Sequence, residues 1–375
     1  GPSRAALLEV LIPSPARRAP SCPLADRCGG CDWLHLDEAS QRAQKEQIVV
    51  STLQHLGGVR AGDYALLPTV SSPRSLGYRR RAVLHPVGKH LGLFGRGSHE
   101  RVRVDRCPAL SPLLEGLPEV LSEALGAGLK GVETVQLLEC EGRVAVSLHL
   151  AAPVRPRQRE ALQGLVAGGV LQGAVLVPER GGGSPERIGV PELAEGPLWH
   201  RPDGFAQANA ALNPALVAAA VDRLEVQPSH AVLELYAGNG NFTLALAARA
   251  ARVLAVESSA VSVQLAQRAV QAASASGVRL MQGDCAAIAD GLVGEGTRFD
   301  RLLLDPPRTG APGLDRWAAR LLVERVVYVA CDPASLARDA ASLDDAGYAP
   351  VSLQVFDLFP QTHHVEAVMA FARRG

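Results

Sequence analysis

No run of eighteen apolar residues occurs in the 375-residue sequence, so no helical membrane span is expected. No basic stretch followed by an apolar one opens the chain, so no export leader is read there. The opening Gly1-Pro2-Ser3, without Met, reads as a tag scar or a truncated start. Net charge is also missing: 38 basic residues balance 38 acidic ones, which taken globally argues against a nucleic-acid binder. Lysine is scarce, with only Lys45, Lys89 and Lys130; the remaining positive charge is arginine, whose planar fork suits phosphate. Internal repeats and low-complexity stretches are absent. The seven cysteines are an odd number in a large chain, which excludes a disulfide scaffold and points to a reducing cytoplasm. What remains is a globular composition, 47% hydrophobic and 20% charged, which excludes wholesale disorder. Its length exceeds what one hydrophobic core usually spans, roughly 250–300 residues, so two or three domains are expected.

The zero net charge hides an asymmetry. Residues 70–107 hold nine basic side chains, Arg79, Arg80 and Arg81 among them, against Glu100 and Asp105. Residues 205–375 hold 14 basic and 17 acidic residues. An arginine-rich patch therefore sits beside a mildly acidic domain.

Three cysteines lie within ten residues, Cys22, Cys28 and Cys31, around Gly29-Gly30. Glycines there let the backbone curl so that several thiolates converge. Cys107, followed by Pro108, is the natural fourth. Zinc and a 4Fe–4S cluster both fit four thiolates. Paired Cys-x2-Cys knuckles would favour zinc, whereas three close cysteines plus a remote one favour iron–sulfur. Cys140 and Cys285 read as core thiols.

An amphipathic helix is predicted over 36–56 and arginine-rich hairpins over 68–108, broken at His85-Pro86, Gly95 and Gly97. A helix over 111–128, a hairpin over 132–152, a helix over 155–168, a strand at Gly173–Val177 and a turn at Gly181–Ser184 follow. From about 210 the rhythm becomes that of a parallel sheet with crossover helices. Strands are read at Val232–Tyr236, Val253–Glu257, Val278–Gln282, Arg301–Leu304 and Val326–Ala330. Val351–Phe356 and Val365–Phe371 are expected as an antiparallel pair at one edge. Seven strands with that ending match a Rossmann-like methyltransferase sheet.

The first of these strands runs into Glu234-Leu235-Tyr236-Ala237-Gly238-Asn239-Gly240. Its two glycines permit a tight turn and a ligand on bare backbone. Glu257, ending the second strand, is placed to accept two ribose hydroxyls, and Asp284, after the third, to take an exocyclic adenine amine. The pattern points to S-adenosylmethionine (SAM); NAD would want a third glycine at Phe242 or Thr243. The fourth strand ends in Asp305-Pro306-Pro307-Arg308 and the fifth in Cys331-Asp332-Pro333, while Glu366 precedes the last. A thiol and a carboxylate beside a methyl donor constrain the chemistry. Carbon 5 of uracil is a poor nucleophile until a thiolate adds to carbon 6; a base must then remove the C5 proton so that the thiol can leave. Cys331 and Glu366 fill those two roles.

With these residues in view, the chain resembles the RNA uracil-C5 methyltransferase family, in its iron–sulfur-bearing 23S rRNA branch. The resemblance covers nearly the whole chain. It rests on Cys22-x5-Cys28-Gly29-Gly30-Cys31, Gly77-Tyr78-Arg79-Arg80-Arg81, Cys107-Pro108, Phe205-x-Gln207-x-Asn209, Glu234–Gly240, Asp305–Arg308, Cys331–Pro333 and His364-Val365-Glu366. It implies that Cys331 is the nucleophile and Glu366 the base. It implies that Gln207, Tyr236, Glu257 and Asp305 join Gly238 and Asp284 in binding SAM, and that Cys22, Cys28, Cys31 and Cys107 hold a 4Fe–4S cluster. Phe205 and Gln207 would approach the target base, and Arg79, Arg80 and Arg81 would grip RNA phosphates while that base leaves its stack.

The implied fold is α/β: a seven-stranded SAM-dependent methyltransferase domain (35–66 and 205–375) plus a central α+β RNA-binding domain carrying the cluster (17–34 and 67–204). Residues 1–16 are expected as a linker or as the last strand, Leu7–Ser14, of a TRAM barrel that is otherwise missing. The expected protein is a cytoplasmic monomer acting on rRNA. The alternatives are a tRNA uridine-C5 methyltransferase, an amino-group methyltransferase, which would leave Cys331 without a task, and a non-catalytic iron–sulfur RNA-binding protein.

Overall fold

The computed structural model describes residues 9–178 and 183–375. Two large sheets carry most of the chain. The larger has eight strands, in the order Ala65–Val70, Tyr348–Phe356, Glu366–Arg373, Arg325–Ala330, Arg301–Leu304, Ala231–Leu235, Arg252–Glu257, Val278–Gln282. Only Glu366–Arg373 runs antiparallel to its neighbours. Its inner strands are apolar almost throughout, because helices cover both faces. On one face Leu233, Leu302 and Tyr328 pack against Trp317 and Leu336, and Val49 and Leu53 of the helix Glu38–Gly57 join them. That helix lies on the helix Pro333–Asp345. On the other face Val232, Leu303 and Val327 meet Leu216 and Leu246. Each fully buried leucine contributes about 1.5–3 kcal/mol by leaving water.

The parallel strands fall where the apolar runs predict them, but the edge differs. The expected antiparallel pair is not at the edge. Ala65–Val70 pairs in parallel with Tyr348–Phe356 and occupies that place, giving eight strands instead of seven. This strand contains Pro68, which only an edge position tolerates readily. It also straddles the expected boundary at 66–67, so the chain leaves the larger sheet only after Val70.

The smaller sheet has seven strands, in the order Arg101–Arg103, His90–Phe94, Arg81–Val87, Val132–Cys140, Arg143–Leu150, Gly173–Val177, Glu186–Gly189. Its core gathers Leu84, Leu137 and Leu148 against Leu121 of the helix Leu117–Leu125 and Leu162 of the helix Pro156–Ala167. The strand expected to break at His85-Pro86 continues to Val87, since Pro86 lies beside the hairpin turn to His90. The helix expected from 111 starts at Leu117, after the turns that follow Cys107. A short hairpin, Leu193–Glu195 with Leu198–His200, connects the two halves. Residues 9–14 form no strand. Leu7 and Leu8 of the expected barrel strand, and Gly181-Gly182 of the expected turn, lie outside the described residues.

Candidate active site

Parallel strands deliver their following loops to one edge, and the register fixes which side chains meet there. Leu304 pairs with Tyr328, and Ala330 pairs with Ala367 of the neighbouring antiparallel strand. Cys331 therefore emerges opposite Glu366, with Asp305 one strand further on. All three line one cavity of about 800 Å3, within the usual range of small-molecule sites, roughly 300–1,000 Å3. The same cavity is lined by Gln207, Tyr236, Gly238, Glu257 and Asp284, and by Arg79, Arg81 and Phe205. Residues from both ends of the chain thus share one wall.

The loop after Ala231–Leu235 is held in a demanding shape. Gly238 and Gly240 have φ of 58° and 93°, and Tyr236, which is not a glycine, has φ of 62°. The Ala237 amide donates to the Val256 carbonyl at 3.0 Å. Glu257 accepts from the Gly238 amide at 3.0 Å and from the Ser259 amide at 2.7 Å. Its carboxylate thus ties the glycine loop to the second strand, and lone pairs remain for a ligand hydroxyl. Asp284 caps the helix Cys285–Gly294 by accepting from the Ala287 amide at 2.8 Å, and stays exposed at the rim.

Glu234 is fully buried beside Thr243, and among the described residues neither carboxylate oxygen has a well-formed hydrogen bond. Burial pushes its carboxyl up to about 8. Folding therefore favours the protonated form. The stability present below the ordinary value of 4.5 is lost as pH rises towards about 8 and then levels off. Glu234→Gln should be spared this loss. Its melting temperature should gain on the wild type between pH 5 and 8, by up to ~1.4 kcal/mol of stability per pH unit, as thermal melts at pH 5, 7 and 9 would read. Parallel pH profiles for the two proteins would contradict the assignment.

At the chemical end, Asp305 and Glu366 are raised well above ordinary carboxyl values by burial, and for Glu366 also by the nearby Asp305 charge. Burial first, then Glu366 and Asp305, push the Cys331 thiol up to about 11, with Arg308 opposing. Burial thus makes both carboxyls beside the thiol harder to ionise than ordinary ones. His364, which sequence reasoning did not single out, lines the same cavity. Burial, then His363 and Arg308, lower its imidazole to about 4, leaving it neutral. It lies two residues before Glu366, a spacing that puts alternate side chains of an extended segment on one side. Phe205 is 54% exposed at the mouth, where an aromatic face can stack on an unpaired base.

The three arginines separate. Arg79 and Arg81 reach the cavity, and Arg81 donates to the Gln136 side chain at 2.8 Å. Arg80 does not reach it, contrary to the sequence expectation. Its side chain points the other way, donates to the Gln207 carbonyl at 2.8 Å and pairs with Glu195 at 2.5 Å, and the residue is buried. Alternation along an extended segment sends it to the opposite side, and ion pairing with Glu195 fixes it there. It braces Gln207 instead of meeting phosphate.

Cys22, Cys28, Cys31 and Cys107 line a second, smaller cavity of about 40 Å3. Gly29 is required there: a Cβ would lie 2.9 Å from the Gly95 carbonyl oxygen. Burial and the neighbouring thiols push Cys31 up to about 12, and burial raises Cys28 and Cys107. Among the described residues no group of three or more His, Cys, Asp or Glu side chains closes around a point as a metal-ion site. Cys285 is buried in the larger sheet's core, and Cys140 in a small cluster with Leu138, Ala145 and Leu193.

Comparison with known proteins gives the family and the fold. Residues 199–374 match the tRNA (uracil-5-)-methyltransferase family. The 23S rRNA (uracil(1939)-C(5))-methyltransferase RlmD of Edwardsiella ictaluri is 34% identical over 98% of this chain and 85% of its own length. The protein of the same name from Alkalilimnicola ehrlichii is 34% identical over 100% of this chain and 87% of its own. Among solved structures, the Pyrococcus abyssi tRNA (uracil-54, C5)-methyltransferase in complex with S-adenosyl-L-homocysteine superposes with a TM-score of 0.74 at 22% identity. It covers 97% of this chain and 88% of that one, a likeness of fold.

Proposed function

The chain belongs to the RNA (uracil-C5)-methyltransferase family, and from that premise we propose that it methylates carbon 5 of a uridine in 23S rRNA, with Cys331 as nucleophile and Glu366 as base. The observation that carries the reading is the register that sets Cys331 opposite Glu366 inside the cavity of the glycine loop. SAM supplies an electrophilic methyl on a sulfonium. Tyr236, Gly238, Glu257, Asp284, Asp305 and Gln207 are read as its holders.

Two protons must move. The Cys331 thiol loses one as sulfur bonds to C6, and C5 loses another after methylation, when Glu366 takes it. The C6–S bond then breaks, the ring double bond re-forms, and sulfur regains a proton. One proton is released per methyl transferred. A single carboxylate cannot hold both protons at once, and Asp305 beside Glu366 offers the second acceptor. The sulfonium charge favours ionised carboxylates, opposing the burial that raises Asp305 and Glu366.

Cys22, Cys28, Cys31 and Cys107 are read as holders of a 4Fe–4S cluster. Their shared cavity of about 40 Å3, with four thiols in a mostly apolar wall, fits that donor set. Such a cluster would tie the 22–31 loop to the turn at Cys107. The smaller sheet and these loops, residues 17–34 and about 71–204, are read as the RNA-binding part, with Arg79, Arg81 and Phe205 at the cavity mouth. Among the described residues no helix is long and apolar enough to cross a membrane, and with an rRNA substrate the protein is read as cytoplasmic.

Transfer RNA is the alternative substrate, favoured by the matched family's description; the relatives similar over nearly the whole chain favour rRNA. Mass-spectrometric mapping of 23S rRNA and tRNA from cells lacking the gene decides it. One 5-methyluridine should vanish from 23S rRNA. Its persistence there with a loss from tRNA would overturn the rRNA assignment, and loss of an N-methylated base would overturn the uracil chemistry.

A further inference from the structure

One side chain lines both cavities. Among the described residues, Arg79 is the sole one shared by the wall of the four-cysteine cavity and the wall of the cavity that holds Cys331. On the cysteine side it is the only charged lining residue among those described; the others are cysteine, glycine, proline, alanine and leucine. On the catalytic side its guanidinium carbon stands 5.9 Å from the centre of the Phe359 ring, which also lines that cavity. Its Nε is buried without a hydrogen-bond partner among the described residues.

The backbone repeats the link. The Arg79 amide donates to the Ala109 carbonyl at 3.0 Å and its carbonyl accepts from the Ser111 amide at 2.9 Å, both in the turns after Cys107. Arg79 also bridges Asn209, two residues beyond Gln207. A movement of the Cys107 turn therefore reaches the catalytic wall through one residue.

We propose that Arg79 is a positioning residue that couples the charge in the four-cysteine cavity to RNA binding in the catalytic cavity. The inference rests on the reading of the four cysteines as cluster ligands. Four thiolates around an iron–sulfur core carry net negative charge, and an apolar cavity screens it poorly, so the lone guanidinium acts at full strength. RNA phosphate entering from the other side competes for the same cation. Coupling of this kind is reciprocal: whatever RNA does to the reduction of the cluster, reduction does to RNA affinity.

The test is a potentiometric titration of the full-length, iron- and sulfide-loaded protein, with and without a uridine-containing RNA oligonucleotide. Arg79→Met should weaken reduction at least tenfold, a shift of about 59 mV to more negative potential for a one-electron couple. Arg79→Lys, which keeps the charge, should shift less. RNA should lower the wild-type potential, that RNA-dependent shift should at least halve in Arg79→Met, and the reduced wild type should bind the oligonucleotide more weakly than the oxidised one. Phe359→Leu, on the catalytic side and outside the cysteine cavity, is the second variant should Arg79→Met fail to load. It should also diminish the RNA-dependent shift. A loaded Arg79→Met with the wild-type midpoint, or an RNA-dependent shift that survives intact in both variants, overturns the coupling. Wild-type protein that retains no iron and sulfide overturns the cluster reading, and the coupling with it.

Discussion

Cys331→Ala should lower single-turnover methyl transfer to a uridine-containing RNA by at least ~10^4-fold, while SAM binding by calorimetry stays within about threefold of wild type. The size follows from the chemistry. Without sulfur at C6, carbon 5 has no enolate-like character, and no other group in the cavity replaces a covalent nucleophile. A 10^4-fold loss corresponds to ~5 kcal/mol of barrier. Binding should be spared because the proposed cofactor holders in the glycine loop, Glu257 and Asp284 are fixed by hydrogen bonds in which Cys331 takes no part. Removing a half-buried thiol also leaves the fold nearly untouched. Retained turnover would mean that the ring is not activated through sulfur, and parallel loss of SAM binding would mean that Cys331 shapes the pocket instead.

Glu366→Gln has the second largest expected effect and the opposite signature. The amide keeps the shape of the carboxyl but cannot take a proton. Burial remains the main cause of the raised Cys331 thiol, and the amide removes only the contribution that ionised Glu366 adds to it, so sulfur addition is not impeded while C5 deprotonation fails. Turnover should fall ~10^2–10^4-fold, and a protein–RNA adduct should accumulate as a slow band on a denaturing gel. Wild-type turnover with no such band would remove Glu366 from the role of base.

The candidate site was legible because its residues sit in short segments at strand ends. Asp305, Cys331 and Glu366 each follow or open an apolar run whose period announces a buried strand. Cys107 stands 76 positions from Cys31, yet its Pro neighbour marked it, and the chain folds it into the same cavity. What stayed hidden depends on partners remote in sequence. The edge strand Ala65–Val70 finds its place only through Tyr348–Phe356. Arg80 looks identical to Arg79 and Arg81 until Glu195, 115 residues away, claims it. Glu257 reads as a ligand acceptor, and only the folded loop reveals that it also holds the Gly238 amide. His364 had a local signal, its spacing from Glu366, but a neutral imidazole is defined by the burial around it.

The central claim is a transient bond between the Cys331 sulfur and C6 of the target uridine. Peptide mapping by tandem mass spectrometry of Glu366→Gln, incubated with SAM and substrate RNA and digested with nuclease and protease, tests it most directly. The account predicts one modified peptide, the one containing Cys331, heavier by a nucleotide that already carries the transferred methyl. Methylated uridine released with every peptide unmodified, or an adduct on a residue other than Cys331, would contradict it.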